Sequence, residues 1–202
     1  MSDIMVNYNY KMNDQLFFSV GIKAPLSSAN RTYEGFSLPM DYQSSLGTYD
    51  FIFGASYKVR NFQFVVAFQQ PIIQNNNHYL ASNFKDHPKL KNFTNSTNKF
   101  IRSGDVLFRV SRLFKINPKW SFSPSILPIY HINNDKYYDF SQELEINGSK
   151  GLTLNGNLYL NYNINSQKAI QLSFGKPFVY RQRRPDGLTR SLVLNIEYKI
   201  KF

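Results

Sequence analysis

The sequence predicts an all-β protein, an antiparallel up-and-down transmembrane β-barrel of which about nine strands are visible out of ten to twelve. Three observations lead to this fold class. Apolar and polar residues alternate along most of the chain, short and long connections alternate between these segments, and aromatic residues reach 16%. No run of about 18 apolar residues is present, so the sequence does not predict a transmembrane helix.

The C-terminal segment, residues 191–202, shows the alternation most clearly. Its even positions are all apolar or aromatic, while most of its odd positions are polar. Successive side chains of a strand point to opposite faces, so this segment predicts an amphipathic strand. Its end, with Tyr198, Ile200 and the final Phe202, resembles the terminal insertion signal of bacterial outer-membrane barrels. The alternative is the last strand of a soluble sandwich or lipocalin-like barrel.

Eight further segments have the same period-2 pattern. Together with the last one, the predicted strands are 4–10, 15–23, 48–57, 62–69, 105–111, 120–130, 152–162, 170–180 and 191–202. Pro124 and Pro128 lack an amide hydrogen for the ladder, so we expect a bulge or a bend there. Lys176 departs from the pattern and predicts either a register shift at Pro177 or a snorkelling side chain near the rim.

The connections between these strands alternate in length. Short turns are predicted at 11–14, 59–61, 116–118 and 165–168, and long loops at 24–46, 74–104 and 133–150. Outer-membrane barrels have short periplasmic turns and long extracellular loops in the same alternation. Large aromatic residues near strand ends are typical of interfacial girdles, and they are Tyr10, Tyr57, Trp120, Tyr130, Tyr162 and Tyr180.

The two faces of the predicted strands differ in a way that indicates which one meets lipid. The apolar residue has an even number in nearly every strand, and the opposite face is rich in Asn, Gln, Ser and Gly. A soluble barrel needs the reverse arrangement, with its apolar side chains inside. The smaller, polar face therefore predicts a lumen.

The predicted lumen contains charged and amide side chains that can set pore selectivity. The candidates are Lys23, Asp50, Gln63, Gln69, Asp105, Arg109, Asn155, Asn157, Gln171, Arg181, Glu197 and Lys199. We single out Arg109 as a charge in the middle of a strand, with Asp50 and Asp105 as candidate partners. The alternative is a hydrogen-bonded interior that fills a narrow barrel and makes it rigid.

Composition limits the other functional classes. The chain has no cysteine, its three histidines are scattered, and no metal site or cofactor is predicted. The net charge of +11 comes from dispersed Lys and Arg without a nucleic-acid module, so we expect no nucleic-acid partner. A positive surface also suits anionic lipopolysaccharide or an anionic solute.

The start of the chain and the strand count lead to one further expectation. The first ten residues contain no positive leader followed by an apolar region. Single-chain bacterial barrels normally have an even number of strands, whereas about nine are visible. We therefore expect residues 1–202 to be a single barrel domain that lacks its signal peptide and one or three N-terminal strands.

The segment 21–57 carries a family resemblance. It contains a Gly-Ile-Lys-x-Pro step after a strand, then Gln-Ser-Ser-Leu-Gly-Thr-x-Asp, then an aromatic strand. It is similar to the outer-membrane transporters of the MetA pathway of phenol degradation, which are distantly grouped with fatty-acid and toluene channels. The family's Pro-Thr-Gly is Pro25-Leu26-Ser27 here. The resemblance implies passage of small, often hydrophobic solutes across the outer membrane of a Gram-negative bacterium.

The sequence thus predicts a porin-like pore or transporter in the cell outer membrane, with a polar lumen for small hydrophobic or anionic solutes. Its expected partners are outer-membrane lipid and lipopolysaccharide, the solute, and the barrel-assembly machinery during insertion. A structural or adhesion barrel with a filled lumen and partner-binding loops is the alternative. We expect no enzyme, because the only catalytic candidate is His131 with one of several lumen serines.

Overall fold

The computed structural model describes residues 3–84, 96–186 and 191–200, which form an antiparallel sheet curved into an open half-barrel. The strands, numbered in chain order, are β1 (Asp3–Lys11), β2 (Leu16–Pro25), β3 (Thr32–Tyr33), β4 (Phe36–Ser37), β5 (Tyr49–Val59), β6 (Phe62–Ile73), β7 (Asp105–Arg112), β8 (Phe114–Lys115), β9 (Trp120–His131), β10 (Lys136–Asp139), β11 (Gln142–Glu145), β12 (Gly151–Asn163), β13 (Lys168–Val179) and β14 (Val193–Ile200).

Nine of these strands make the half-barrel, and each pairs with its neighbour in the order β1-β2-β5-β6-β7-β9-β12-β13-β14. The short β8 continues β7 along the edge of β9. All adjacent pairs are antiparallel, as the sequence predicts, and β1 and β14 are the two edges. The up-and-down meander of nine strands is therefore confirmed, whereas the described strands do not close into a barrel.

Three of the four short turns are built on the same side-chain contact. The Oδ1 atoms of Asn13, Asn117 and Asn165 each accept two backbone N–H groups, from residues two and three positions later, at 2.8–3.0 Å. An Asn side chain in this position replaces a backbone acceptor and so fixes a tight turn. All these turns lie at one end of the sheet, which we call the turn end.

The other end of the sheet, which we call the loop end, is more ordered than the sequence predicts. The three long connections contain the small hairpins β3–β4 and β10–β11 and two short 3₁₀ helices, Met40–Tyr42 and Ala81–Phe84. These elements escape prediction because two- to four-residue strands are too short to establish a hydrophobic period.

Asn77 connects two of these long connections. Its side chain is fully buried, and its Nδ2 donates to the carbonyl oxygens of Ala29, at 2.8 Å, and Leu38, at 3.1 Å. Its Oδ1 accepts the Thr97 hydroxyl at 2.6 Å and the backbone N–H of Tyr79 at 3.0 Å. All its donors and one acceptor are thus satisfied by protein, which makes the polar residue compatible with burial.

The faces of the sheet are distributed as the alternation predicts. One continuous row on the outer, convex face runs through Tyr8, Val20, Phe53, Phe68 and Val106, which are paired from strand to strand. The outer face carries large exposed apolar side chains, including Ile196 with 73% of its surface exposed. The opposite, concave face holds Asp50, Asp105 and Ser125, all buried.

The apolar core lies at the loop end rather than within the half-barrel. Among the described residues, the buried hydrophobic side chains all lie in the long connections of the loop end, and they are Ala29, Met40, Tyr79, Phe100 and Ile146. None belongs to the nine strands of the half-barrel. Apolar burial is the main force that holds soluble sheets together, and these strands show little of it.

The two prolines of β9 do not cause a bulge, although the ladder between β7 and β9 lacks pairs at Leu127 and Pro128. Pro124 and Pro128 pair with Leu158 and Leu154 in one unbroken register with β12. The register shift lies on the next ladder, where Asn155 pairs with Pro177 and Leu154 pairs with Val179. It supports the prediction of a shift beside Pro177.

Lys176 itself precedes this shift. It stays in phase with the apolar side chains and is exposed on the outer face. The shift therefore does not turn the Lys176 side chain away from the outer face.

Candidate functional site

The concave face encloses a cavity of about 540 Å³ between β6, β7, β9, β12, β13 and β14. It is lined almost entirely by odd-numbered residues, which the alternation assigns to the lumen. Six of the predicted lumen residues line it, and they are Gln69, Asp105, Asn155, Asn157, Arg181 and Glu197. The other six do not line this cavity, and they are Lys23, Asp50, Gln63, Arg109, Gln171 and Lys199.

Lys23 and Asp50 form a buried ion pair at the loop end of β2 and β5. The two residues are direct cross-strand partners, and the Lys23 ammonium contacts Asp50 Oδ2, which also accepts the Gln69 amide. Asp50 is fully buried, and its Oδ1 has no hydrogen-bond partner. Three of the predicted lumen residues therefore meet in one cluster.

Asp105 belongs to a larger cluster, which we call the charged ring. Six buried side chains of alternating charge form a closed series of ion pairs, in the order Asp105, His131, Asp135, Arg181, Asp186 and Arg102. These residues come from β7, β9 and the connections at the loop end. The charged ring therefore joins the edge of the sheet to the packed loops above it.

His131 is the residue whose geometry defines its charge. Its Nδ1 lies 2.7 Å from Asp105 Oδ1, and its Nε2 lies 2.8 Å from Asp135 Oδ1. A carboxylate can only accept, so both nitrogens donate and the imidazole carries two protons. With His131 positive, the three cations of the charged ring balance its three carboxylates, as buried charges require.

Arg181 and Arg102 complete the charged ring. The Arg181 guanidinium donates to Asp186 Oδ2 and to the Ser149 carbonyl oxygen, both at 2.8 Å, and lies 3.8 Å from Asp135 Oδ2. Arg102 contacts Asp105 directly and reaches Asp186 at 3.7 Å through Nε. Burial opposes the charge on Arg102, but the surrounding carboxylates of Asp105 and Asp186 leave its pKa above the ordinary value.

Sequence reasoning placed Asp105 and Arg181 in the lumen but did not connect them. The alternation does not predict Arg102, Asp135 and Asp186 as site residues, because they lie in segments predicted as loops. The local spacings Arg102-x-x-Asp105 and His131-x-x-x-Asp135 were the available signal. That signal is weak, since the ring closes only through residues far apart in the chain.

Arg109 does not have the partners that the sequence suggested. Asp50 pairs with Lys23, and Asp105 pairs with Arg102 and His131. Within the described part of the chain Arg109 forms no ion pair, and its buried Nε has no hydrogen-bond partner. The expectation of an Arg109–Asp pair is therefore wrong, because both carboxylates are neutralised by other cations.

The concave face also contains apolar side chains that were not predicted there. Leu107, Leu127 and Ile129 line the cavity, and Leu107 pairs directly with Ile129. Their signal in the sequence is the loss of alternation at 106–108 and 126–130, where both faces are apolar. The cavity is therefore amphipathic, with an apolar wall on β7 and β9 opposite amide and hydroxyl groups on β12 and β13.

The remaining predicted residues lie towards the turn end. Gln63 donates to Ser56 Oγ at 2.9 Å, and Gln171 donates to Asn161 Oδ1 at 2.6 Å. Lys199 donates to Gln171 Oε1 at 2.7 Å and lies 3.4 Å from Glu197. These contacts form cross-strand polar ladders on the concave face.

The predicted insertion signal is only partly described. Tyr198 and Ile200 lie on β14 with their side chains exposed on the outer face, while Phe202 lies outside the described residues.

The aromatic residues expected at strand ends are distributed between both ends of the sheet. Trp120 and Tyr162, at the turn end, are direct cross-strand partners with their ring centroids 4.7 Å apart. Tyr130 and Tyr180 are exposed at the loop end.

The β10–β11 hairpin carries a separate, exposed charge contact. The Lys136 ammonium donates to Glu143 Oε1 at 2.6 Å, and the Tyr138 hydroxyl donates to Glu143 Oε2 at 3.1 Å. These two bonds, Lys136 first, hold the pKa of Glu143 below its ordinary value, and the Glu143 carboxylate raises the pKa of Lys136.

The sequence was compared with known proteins. No protein-family model matches the chain, and no curated protein matches it either.

No helix in the described residues is both long and apolar enough to cross a membrane. Within the same residues, no group of three or more His, Cys, Asp or Glu side chains could hold a metal ion.

Proposed function

We propose that this chain forms most of the wall of an outer-membrane β-barrel pore that passes small solutes through the cavity on its concave face. The observation that carries the proposal is the location of the apolar residues. Within the described residues the sheet has no buried apolar core, while its convex face exposes large aliphatic and aromatic side chains. This distribution suits a lipid environment, in which acyl chains rather than water cover the apolar face.

Closure of the barrel belongs to the same proposal. An even number of steps separates β1 from β14 in an antiparallel series, so these two edges run in the same direction. A fully antiparallel barrel therefore takes an odd number of additional strands between them. One or three such strands would give the ten- to twelve-stranded barrel, and without them the edge N–H and C=O groups would face lipid unpaired, which is costly.

The proposal is tested by recording conductance from the full-length protein in planar bilayers. We expect stepwise openings, and we expect Ser173→Trp, on the concave face, to lower the single-channel conductance. Leu172→Trp is the matched control on the convex face and should leave it unchanged. A folded protein that stays silent across salts and voltages would overturn the pore.

The charged ring and the packed loops favour one second candidate, a structural or adhesion barrel. Its loop end would be rigid enough to present a partner surface, for example through Phe140, whose side chain is 90% exposed at the tip of the β10–β11 hairpin. This alternative predicts the absence of conductance together with partner binding that is lost in Phe140→Ser.

A further inference from the structure

Three polar side chains, those of Arg109, Ser125 and Asn157, meet on the concave face, at the middle of β7, β9 and β12. Ser111 and Asn157 both pair directly with Ser125, from opposite sides. Arg109 lies two residues before Ser111 on β7, so its side chain is on the same face and diagonal to Ser125. Diagonal neighbours on one face are about 7–8 Å apart, within reach of an Arg side chain.

Each of these three side chains has a buried polar atom without a hydrogen-bond partner. The atoms are Arg109 Nε, Ser125 Oγ and Asn157 Nδ2, and the Ser125 side chain is only 5% exposed. Buried polar groups are nearly always paired, so three unpaired groups on adjacent strands indicate a ligand position. Leaving such groups unpaired is unfavourable, and a ligand that pairs them recovers that free energy.

The chemistry of the three groups defines the ligand. The Arg109 and Asn157 atoms are obligate donors, and the Ser125 hydroxyl can donate. The charge of Arg109 is not neutralised by any ion pair among the described residues, unlike that of Lys23, Arg102 and Arg181. A group that accepts from all three and carries negative charge fits best, because guanidinium pairs with carboxylate through two parallel hydrogen bonds.

The surroundings of Arg109 add an apolar requirement. Leu107 precedes it by two positions on the same face, and Leu127 lies at its level on β9, next to Ile126, which pairs with Val110. Leu127 and Ile129 continue this apolar wall along the cavity. A ligand anchored at Arg109 therefore has an apolar surface on which to place the rest of its body.

We infer that Arg109, Ser125 and Asn157 form a binding subsite for a small carboxylate with a compact apolar body, held against Leu107 and Leu127. The inference rests on the proposed pore, since it names the class of solute that the pore would select. The subsite itself requires no conductance and can be measured without it.

The test is calorimetric titration of the full-length protein, folded in detergent micelles, with cyclohexanecarboxylate. We expect saturable binding, with acetate and inorganic phosphate binding more weakly because they lack the apolar body. Cyclohexylmethanol should also bind more weakly, because it lacks the charge. If acetate or phosphate binds as tightly as cyclohexanecarboxylate, the proposed contact of the ligand with the apolar wall is refuted. If cyclohexylmethanol binds as tightly, the proposed recognition of the negative charge is refuted.

Variants assign the binding to these residues. Arg109→Gln should weaken the affinity tenfold or more, as expected for loss of a hydrogen bond to a charged group, at about 1.5–3 kcal/mol. Arg109→Lys keeps the charge and should lose less, and Ser125→Ala and Asn157→Ala should each weaken binding severalfold. Lys168→Gln changes the charge equally at the exposed turn end and should have no effect. Unchanged affinity in Arg109→Gln, or no binding by folded wild-type protein, overturns the inference.

The two proposals fail separately. Binding with silent bilayers would refute the pore and leave the subsite. Conductance without binding, or with unchanged anion preference in Arg109→Gln, would refute the subsite and leave the pore.

Discussion

At the scale of single residues, His131 shows how a buried histidine can join two carboxylates. Both of its ring nitrogens face carboxylate oxygens, so neither is left to accept a proton from a serine hydroxyl. Its positive charge instead separates Asp105 and Asp135, two carboxylates that would otherwise repel each other across a buried space. The charged ring depends on this contact, because His131 bonds directly to both of these carboxylates.

Replacing His131 tests this role. His131→Ala should lower the free energy of unfolding by about 3–5 kcal/mol, because it leaves Asp105 and Asp135 buried without their shared cation. His78→Ala, at an exposed histidine, is the matched control and should change it by about 0.5 kcal/mol or less. Urea titration of the folded protein, followed by the fluorescence of the single Trp120, measures both. Equal unfolding midpoints would contradict the structural role.

Glu143 provides a prediction for pH dependence outside the strands of the half-barrel. Its pKa is lowered by Lys136 and then by Tyr138, so its contribution to the hairpin is fully present above the ordinary pKa of a glutamate. That contribution is lost as the pH falls through the lowered pKa of the folded state. In Lys136→Gln the pKa of Glu143 should move up towards its ordinary value, as measured by the carboxyl ¹³C shift. An unchanged titration curve would show that Lys136 does not hold this carboxylate.

At the scale of elements, β14 shows what alternation means for the environment of the sheet. Ile196 and its neighbour Asn195 are both on an edge strand, but only Ile196 projects from the convex face. If the convex face contacts water, replacing Ile196, which has 73% of its surface exposed, by a charged residue would change the free energy of unfolding little. In lipid, the same change would place a cation among acyl chains.

Arginine substitutions at positions 196 and 195 distinguish whether the convex face contacts lipid or water. Ile196→Arg should destabilise the protein folded in phospholipid vesicles by about 2–4 kcal/mol if the residue lies near the midplane. Asn195→Arg, one residue away on the concave face, should cost much less. Urea titrations of folding into vesicles measure both variants. A tolerated arginine at position 196 would refute contact between this face and lipid.

The strand bounds follow the sequence closely where alternation is strong. β1 and β9 begin and end within one residue of their predicted bounds. β6 extends to Ile73, beyond the predicted residue 69, because Tyr49 on β5 supplies a partner for Ile73 across a register shift. Pro71 hides this extension in the sequence, since proline interrupts the pattern by which a strand is recognised.

At the scale of the whole molecule, the sheet and the loops differ in where their apolar side chains lie. The loop end has a small apolar core and the charged ring, and these hold the long connections together. The half-barrel has an apolar exterior and a polar, partly apolar interior. In the proposed pore, its stability would depend on lipid outside and on closure between β1 and β14. The conductance experiment therefore tests the completed assembly rather than any single residue.

The amino-acid sequence alone determined the secondary structure of the half-barrel strands, their order and the face of most of their side chains. These features are local, because a period of two and turn residues such as Asn117 act within a few positions. Tertiary structure alone decided the partners of the charges. Register and the folding of the long connections paired Asp50 with Lys23, closed the charged ring through Asp186, and left Arg109 without a carboxylate partner among residues 3–84, 96–186 and 191–200. Electrostatic pairing depends on distances of a few ångströms between residues far apart in the chain, which no local pattern encodes.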